Sequence, residues 1–271
     1  MTVTNLRFET TWSYPYPIAT TGAGTALTVC IRRGDPYLAF LTQTTLADPV
    51  FYLQTFTGAV AHRHRSPVGY DTIDDMAWDP LRRVIWCCQG TQDVETILAF
   101  DPNNGQLTGT RVAALTASMP APQGLACNGF FFVRGGGPTA ELWSTGGQLL
   151  GTHEYAGRGI TGLSAAPWSW CFCDKYNDQI VVIGPLGNEL AVGSGVGASG
   201  GMEAISFDLP GYPDMAVTPQ VWGPNGTVGA VGTINHPDTP WNPVPWGGRH
   251  RLYVANEIDQ TIYAGYLTAD P

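Results

Sequence analysis

Glu203, His236 and Arg158 are the side chains of this sequence best suited to catalysis at a carbonyl or similar centre. A glutamate or histidine can carry a proton near neutral pH, Asp238 stands close enough to His236 to orient its ring, and an arginine can hold developing negative charge. The acids and amides also allow a metal site. Glu203, Asp174 and Asn256, together with Asp74, offer the hard oxygen donors that a divalent ion such as calcium takes, and such an ion would polarise a lactone or ester carbonyl. Tyr70, Asp74, Gln123, Trp241 and Asn242 are candidates for holding a ligand. Tyr70 and Trp241, with Tyr14 and Tyr16, would give a stacking platform for a sugar or a flat apolar molecule. Each has a plainer reading: a solvated loop histidine, an aromatic packed between sheets, or a polar cap on a loop. That applies equally to the pair His62 and His64 in AHRHRS.

Residues so far apart in sequence converge only on a fold that returns to one place repeatedly, and the turns carry such a repeat. Glycine-centred turns recur in DPNNGQL (101–107), STGGQLL (144–150), GPLGNEL (184–190) and GPNGTVG (223–229), with Gly105, Gly147, Gly187 and Gly226 spaced by 42, 40 and 39 residues. Asn and Gly tolerate the positive φ that tight hairpins need. An apolar run precedes each turn (TILAFD, AELWS, QIVVIG, PQVWG) and another strand follows it, while two more strands lie upstream, such as DDMAWD and VIWCC. Four short strands per period of about 40 mark a β-propeller blade. Aligned first strands put Ala26, Asp75, Gly124, Gly162, Ala204 and Asn242 in one column. The expected fold is therefore an all-β, six-bladed β-propeller in a single domain, 1–271, with four antiparallel strands per blade. Its blades fall near 26–60, 74–115, 123–155, 161–195, 203–233 and 241–271. The strand LRFETTW (6–12) joins the C-terminal blade as its outer strand and so closes the ring.

The stretches GLSAAPWSWCFCDKYNDQIVVIGPLGNEL (162–190) and GGRHRLYVANEIDQTIYAGYL (247–267) resemble blades of the NHL and SMP-30/gluconolactonase-like propellers. The resemblance lies in an apolar first strand, an LYVAD-like second strand, an Asn-containing loop and a Gly turn. It implies a ligand face formed by the loops that enter the innermost strands and those between second and third strands. It also implies a metal held by a Glu and by Asn or Asp residues from different blades, for which Glu203 and Asn256 sit at comparable places. Thr25, Gln123 and Thr161 are neutral where that pattern has acids.

Composition narrows the partners. Thirteen basic against 22 acidic residues give a net charge of −9, and Lys175 is the only lysine, which disfavours nucleic acid. No apolar run has the length of a membrane span and the N-terminus lacks the plan of a signal peptide, so a soluble, cytoplasmic monomer or small oligomer is expected. All six cysteines lie in apolar strand-like runs and read as buried free thiols. GVGASG (195–200) matches a dinucleotide-binding spelling, but a strand follows it and no helix is there to receive a pyrophosphate. The function these features favour is a small-molecule enzyme, a hydrolase or lyase working at the mouth of the central channel. The alternatives are a lectin-like or other binding propeller for a small or carbohydrate-like ligand, and a protein-interaction scaffold.

Overall fold

The computed structural model describes residues 4–17, 23–43, 49–65, 73–89, 96–112, 123–129, 131–166, 169–184, 187–207 and 251–269. β-Branched and aromatic runs broken by Gly, Asn and Asp turns produce strands throughout these residues. After β1 (Thr4–Pro15), blade 1 is β2 (Ala23–Arg32), β3 (Asp35–Gln43), β4 (Pro49–Gln54) and β5 (Val60–Arg65). Blade 2 is β6 (Ile73–Asp79), β7 (Val84–Gln89), β8 (Thr96–Asp101) and β9 (Gln106–Val112). Blade 3 is β10 (Gly124–Cys127), β11 (Phe131–Gly136), β12 (Thr139–Ser144) and β13 (Leu149–Glu154). Blade 4 is β14 (Ile160–Ala166), β15 (Ser169–Asp174), β16 (Gln179–Ile183) and β17 (Glu189–Ser194), and the last blade holds β18 (Met202–Phe207), β19 (Arg251–Asn256) and β20 (Thr261–Ala269). Among the described residues no helix is long and apolar enough to cross a membrane.

The N-terminal strand closes the ring as expected: β1 pairs antiparallel with β20, from Leu6 opposite Ala269 to Pro15 opposite Thr261. It also pairs in parallel with β17, Thr4 opposite Ala191, which joins the last two blades into one eight-stranded sheet. The expected six blades are not all seen among the described residues. β18 pairs directly with β19, so the units read as 203–233 and 241–271 supply strands to one blade, and 208–250, including the proposed first-strand residue Asn242, lies outside the described residues. The innermost strands β2, β6, β10, β14 and β18 pack in sequence, and β18 packs back on β2. The described residues thus close a ring of five sectors.

Side-chain hydroxyls and one carboxyl group hold that ring at its axis. The Trp78 amide donates to Thr28 Oγ1 (3.1 Å), the Val29 amide to Ser206 Oγ (2.9 Å) and the Phe207 amide to Ser164 Oγ (2.9 Å). Thr28, Ser164 and Ser206 stand two residues beyond Ala26, Gly162 and Ala204 in the aligned first strands, where blades 2 and 3 have only Ala77 and Ala126. There Asp75 substitutes: its Oδ2 accepts from the amides of Leu125 (2.8 Å) and Leu163 (3.1 Å), and its Oδ1 from Met76 (2.8 Å). A sixth sheet would need to part β18 from β2, across the bond from Val29 to Ser206. The small residues of the column permit this closeness, since a Cβ on Gly162 would lie 2.6 Å from the Ala204 Cα.

Apolar side chains fill the spaces between blades. Leu41, Phe51, Met76, Trp78, Ile85 and Leu98 pack blade 1 on blade 2, with comparable clusters elsewhere around the ring. All six cysteines are buried and free, and burial pushes each thiol above its ordinary range. The native protein should therefore leave an aromatic disulfide reagent unreduced at pH 8 and release six thiols once unfolded in guanidinium; rapid native reaction of even one would contradict this packing.

Candidate functional site

Because strands alternate in direction, the starts of the innermost strands and the loops between second and third strands share one face, here termed upper. At this edge the pairing of the first two strands slips by one residue in four blades, between Ala23 and Thr25, Ile73 and Asp75, Ile160 and Leu163, and Met202 and Ala204. A bulge of this kind re-aims the extra residue. The extra residues in blade 2 and the last blade are Asp74 and Glu203, each standing opposite no residue of the second strand.

Glu203 has two charged neighbours. Lys175 Nζ donates to its Oε1 and lies 3.4 Å from Glu257 Oε1. Lys175 and Glu257 each follow the last residue of a second strand, Asp174 in β15 and Asn256 in β19, so the fold presents them from equivalent loops of adjacent blades. The Glu203 side chain is only 13% exposed. Burial pushes its carboxyl up and the negative charge of Glu257 adds to this, while Lys175 opposes; the balance puts it at about 7. Burial alone would lower the Lys175 ammonium, but its two carboxylate partners hold it above its ordinary value. A carboxyl group close to half-ionised at neutral pH beside a fixed ammonium suits proton transfer.

Sequence reasoning named Glu203 and passed over Lys175 and Glu257 as site residues. A signal was present: DKYNDQ (174–179) and NEIDQ (256–260) align loop on loop and place opposite charges at the same position.

The other proposed metal ligands are committed to their own loops. Asp174 is fully buried, its Oδ1 accepting from the amides of Gly159 (2.9 Å) and Tyr176 (3.1 Å) and its Oδ2 from Asn177 Nδ2 (2.7 Å) and Arg158 Nη1 (2.9 Å). Asn256 does the same in the last blade. Its Oδ1 accepts from the amides of Ile258 (3.1 Å) and Asp259 (3.3 Å), and its Nδ2 donates to the carbonyls of Val196 (3.0 Å) and Ala198 (2.8 Å). The GVGASG stretch wraps this amide, and a Cβ on Gly201 would fall 2.1 Å from Asn256 Oδ1. Filled hydrogen-bonding capacity leaves neither residue a lone pair for an ion. Among the described residues no three histidine, cysteine, aspartate or glutamate side chains gather as a metal-binding group, so this donor set does not fit calcium.

Arg158 is likewise engaged. Beyond Asp174 it meets Glu189 through Nε (3.2 Å) and Nη2 (2.9 Å), and Nη1 also donates to Gln179. Four of its five N–H donors meet acceptors there, tying β16 and β17 to the loop before β14. Gln123 is exposed just ahead of β10, its amide bonded to the Gly135 carbonyl (2.8 Å). His62 and His64 lie in β5, the outer strand of blade 1, rather than in a loop entering the ring, and His62 packs edge-on against Tyr37. Tyr14 and Tyr16 are buried between blade 1 and the last blade and offer no platform. Tyr70, His236, Asp238, Trp241 and Asn242 lie outside the described residues.

No family model matches the sequence, and no curated protein matches it. Among solved structures the chain is similar over its whole length to the whole of Myxococcus xanthus glutaminyl cyclase, with a TM-score of 0.65 and 13% identity. Virginiamycin B lyase from Staphylococcus aureus is matched over 94% of this chain and 69% of that one, with a TM-score of 0.48 and 12% identity. The first of these likenesses establishes the β-propeller architecture. It does not single out the NHL or SMP-30 families.

Proposed function

We propose that this propeller is a small-molecule enzyme working at its upper face, with Glu203 as the proton carrier. The observation that carries this reading is a glutamate re-aimed by a bulge at the head of an innermost strand, paired with Lys175 and Glu257 and titrating at about 7. The chemistry that such a group serves is attack on a carbonyl. Glu203 takes the proton from the attacking amine, hydroxyl or water, and returns it to the departing nitrogen or oxygen as the carbon–nitrogen or carbon–oxygen bond breaks. Lys175 spends two donors on the carboxylates and has a third for the carbonyl oxygen. Hydrolysis of an ester, lactone or amide fits this scheme. So does cyclisation of a glutaminyl substrate, the reaction that names the Myxococcus xanthus protein, and glutaminyl peptides are the first substrates to assay. His236 as a second proton carrier, and Tyr70, Asp74, Gln123, Trp241 and Asn242 as the ligand-holding groups, are proposed from the sequence.

The test reads the carboxyl directly. The carboxyl carbon of Glu203, followed by NMR, should titrate at about 7, and turnover of a glutaminyl, lactone and ester panel should follow the same midpoint. Glu257→Gln removes a charge that holds Glu203 up, so both midpoints should move to lower pH together. A Glu203 carboxyl titrating in the ordinary range near 4.3, or a rate profile that ignores Glu257, would overturn the assignment.

A further inference from the structure

The lower face carries a second feature. The turns between first and second strands of blades 1 and 2 both contain an arginine pair, Arg32–Arg33 in RRGD and Arg82–Arg83 in LRRV. In each the second arginine takes the left-handed backbone, φ 51° at Arg33 and 56° at Arg83, while blade 3 has Gly129 in its corresponding turn. A bulky side chain in that region costs free energy that Gly or Asn would avoid, so these arginines are held there against local preference.

The two turns and the hairpin of blade 2 line a groove of about 450 Å³, its polar lining being Arg33, Arg82, Arg83, Asp101, Asn103 and Thr108. Its walls are fixed. The Arg33 amide donates to Asn103 Oδ1 (3.1 Å), Arg32 Nη2 to the Asn103 carbonyl (3.4 Å), and Arg82 bonds Asp79, the Gly129 carbonyl and Thr145. The guanidinium groups of Arg33 and Arg83 have no hydrogen-bond or ion-pair partner among the described residues, and Arg32 Nε is buried without one. Asp101 Oδ1 accepts from Asn103, leaving Oδ2 without a hydrogen bond to the described residues. The neighbouring His62 and His64 are held below the ordinary imidazole range, by burial first and then by the charge of Arg32. In a chain of net charge −9, this is a local concentration of unspent positive charge.

We propose that this groove binds a small phosphorylated molecule bearing hydroxyls, of the sugar phosphate class, its phosphoryl group on the Arg33 and Arg83 guanidiniums and a hydroxyl on Asp101. Two planar forks match a dianion with three terminal oxygens better than a monocarboxylate, and the groove has the volume of a small-ligand site, larger than a lone phosphate needs. The site is on the face opposite Glu203, so it takes a ligand separate from any substrate there.

Isothermal titration of the full chain with glucose 6-phosphate, inorganic phosphate and glucose tests the assignment. Glucose 6-phosphate should bind, glucose should not, and inorganic phosphate should bind more weakly. The double variant Arg33→Asn with Arg83→Asn removes both charges and suits the left-handed backbone, so it should fold normally and lose roughly tenfold or more in affinity for glucose 6-phosphate. Asp101→Asn should narrow the gap between glucose 6-phosphate and inorganic phosphate. Absence of saturable phosphate binding, or binding unchanged in the double variant, would overturn the site; equal affinity for the two phosphates in the native chain would overturn the role of Asp101.

Discussion

Asp75→Ala should cost on the order of 3 to 9 kcal/mol and leave the ring close to unfolded at 37 °C. The substitution strands the buried amides of Leu125 and Leu163, and that of Met76, without the carboxyl group that accepts from them. Each buried donor left without a partner costs about 1 to 3 kcal/mol, and the vacated volume adds a cavity term. Against a total stability of about 5 to 15 kcal/mol, the sum decides whether the domain folds. Urea unfolding should show the midpoint falling with the slope unchanged. Asp75→Asn keeps the shape and one acceptor, so its loss should be smaller. It should also alter the pH dependence in a defined direction. Burial holds the Asp75 carboxyl well above its ordinary range despite three amide donors, so the folded chain keeps a proton that the unfolded chain has already released. Stability contributed through this group therefore declines as pH rises above the ordinary carboxylate range, and the Asn variant should lack that decline. A melting temperature within a degree or two of native for Asp75→Ala would mean that the ring is held elsewhere.

Glu203→Gln should lower turnover by roughly 10²- to 10⁴-fold, the span that a positioned proton carrier supplies, while leaving the fold intact. Stability separates this from a structural role. The Glu203 carboxyl rises from 4.5 to about 7 on folding, so over that interval the folded chain binds the extra proton and stability falls as pH rises through it. Glutamine carries no such penalty, and Lys175 keeps Glu257 as a partner, so the variant should melt no lower than native at pH 8 and lose its advantage at pH 5. A variant with full turnover, or one that fails to fold, would remove Glu203 from the chemistry.

Local pattern was enough for the strands. The runs TILAFD, AELWS and LYVAN, bounded by residues that turn the chain, lie in β8, β12 and β19 at or within one residue of where alternation and turn chemistry put them. The closure by the N-terminal strand and the burial of the cysteines were legible for the same reason: an unpaired strand needs an edge, and a thiol in an apolar run needs a core.

What the tertiary structure decided depends on partners distant in sequence. Repeat counting gave six blades because the stretch 208–250 between β18 and β19 is about as long as one repeat; only the pairing of Met202 with Asn256, and the bond from Val29 to Ser206, set the ring of described residues at five. The same holds for the polar residues. Asp174 and Asn256 carry the oxygen chemistry of metal ligands, but their lone pairs and protons are consumed by amides and carbonyls of their own loops, which composition and spacing do not register. Glu203 was legible as a candidate from its residue type alone, whereas its neighbours Lys175 and Glu257, and with them its proton affinity, came from two blades meeting at one edge of the ring. Secondary structure follows from near-neighbour sterics and periodicity; a proton affinity follows from burial and charge, which exist only after the chain has closed.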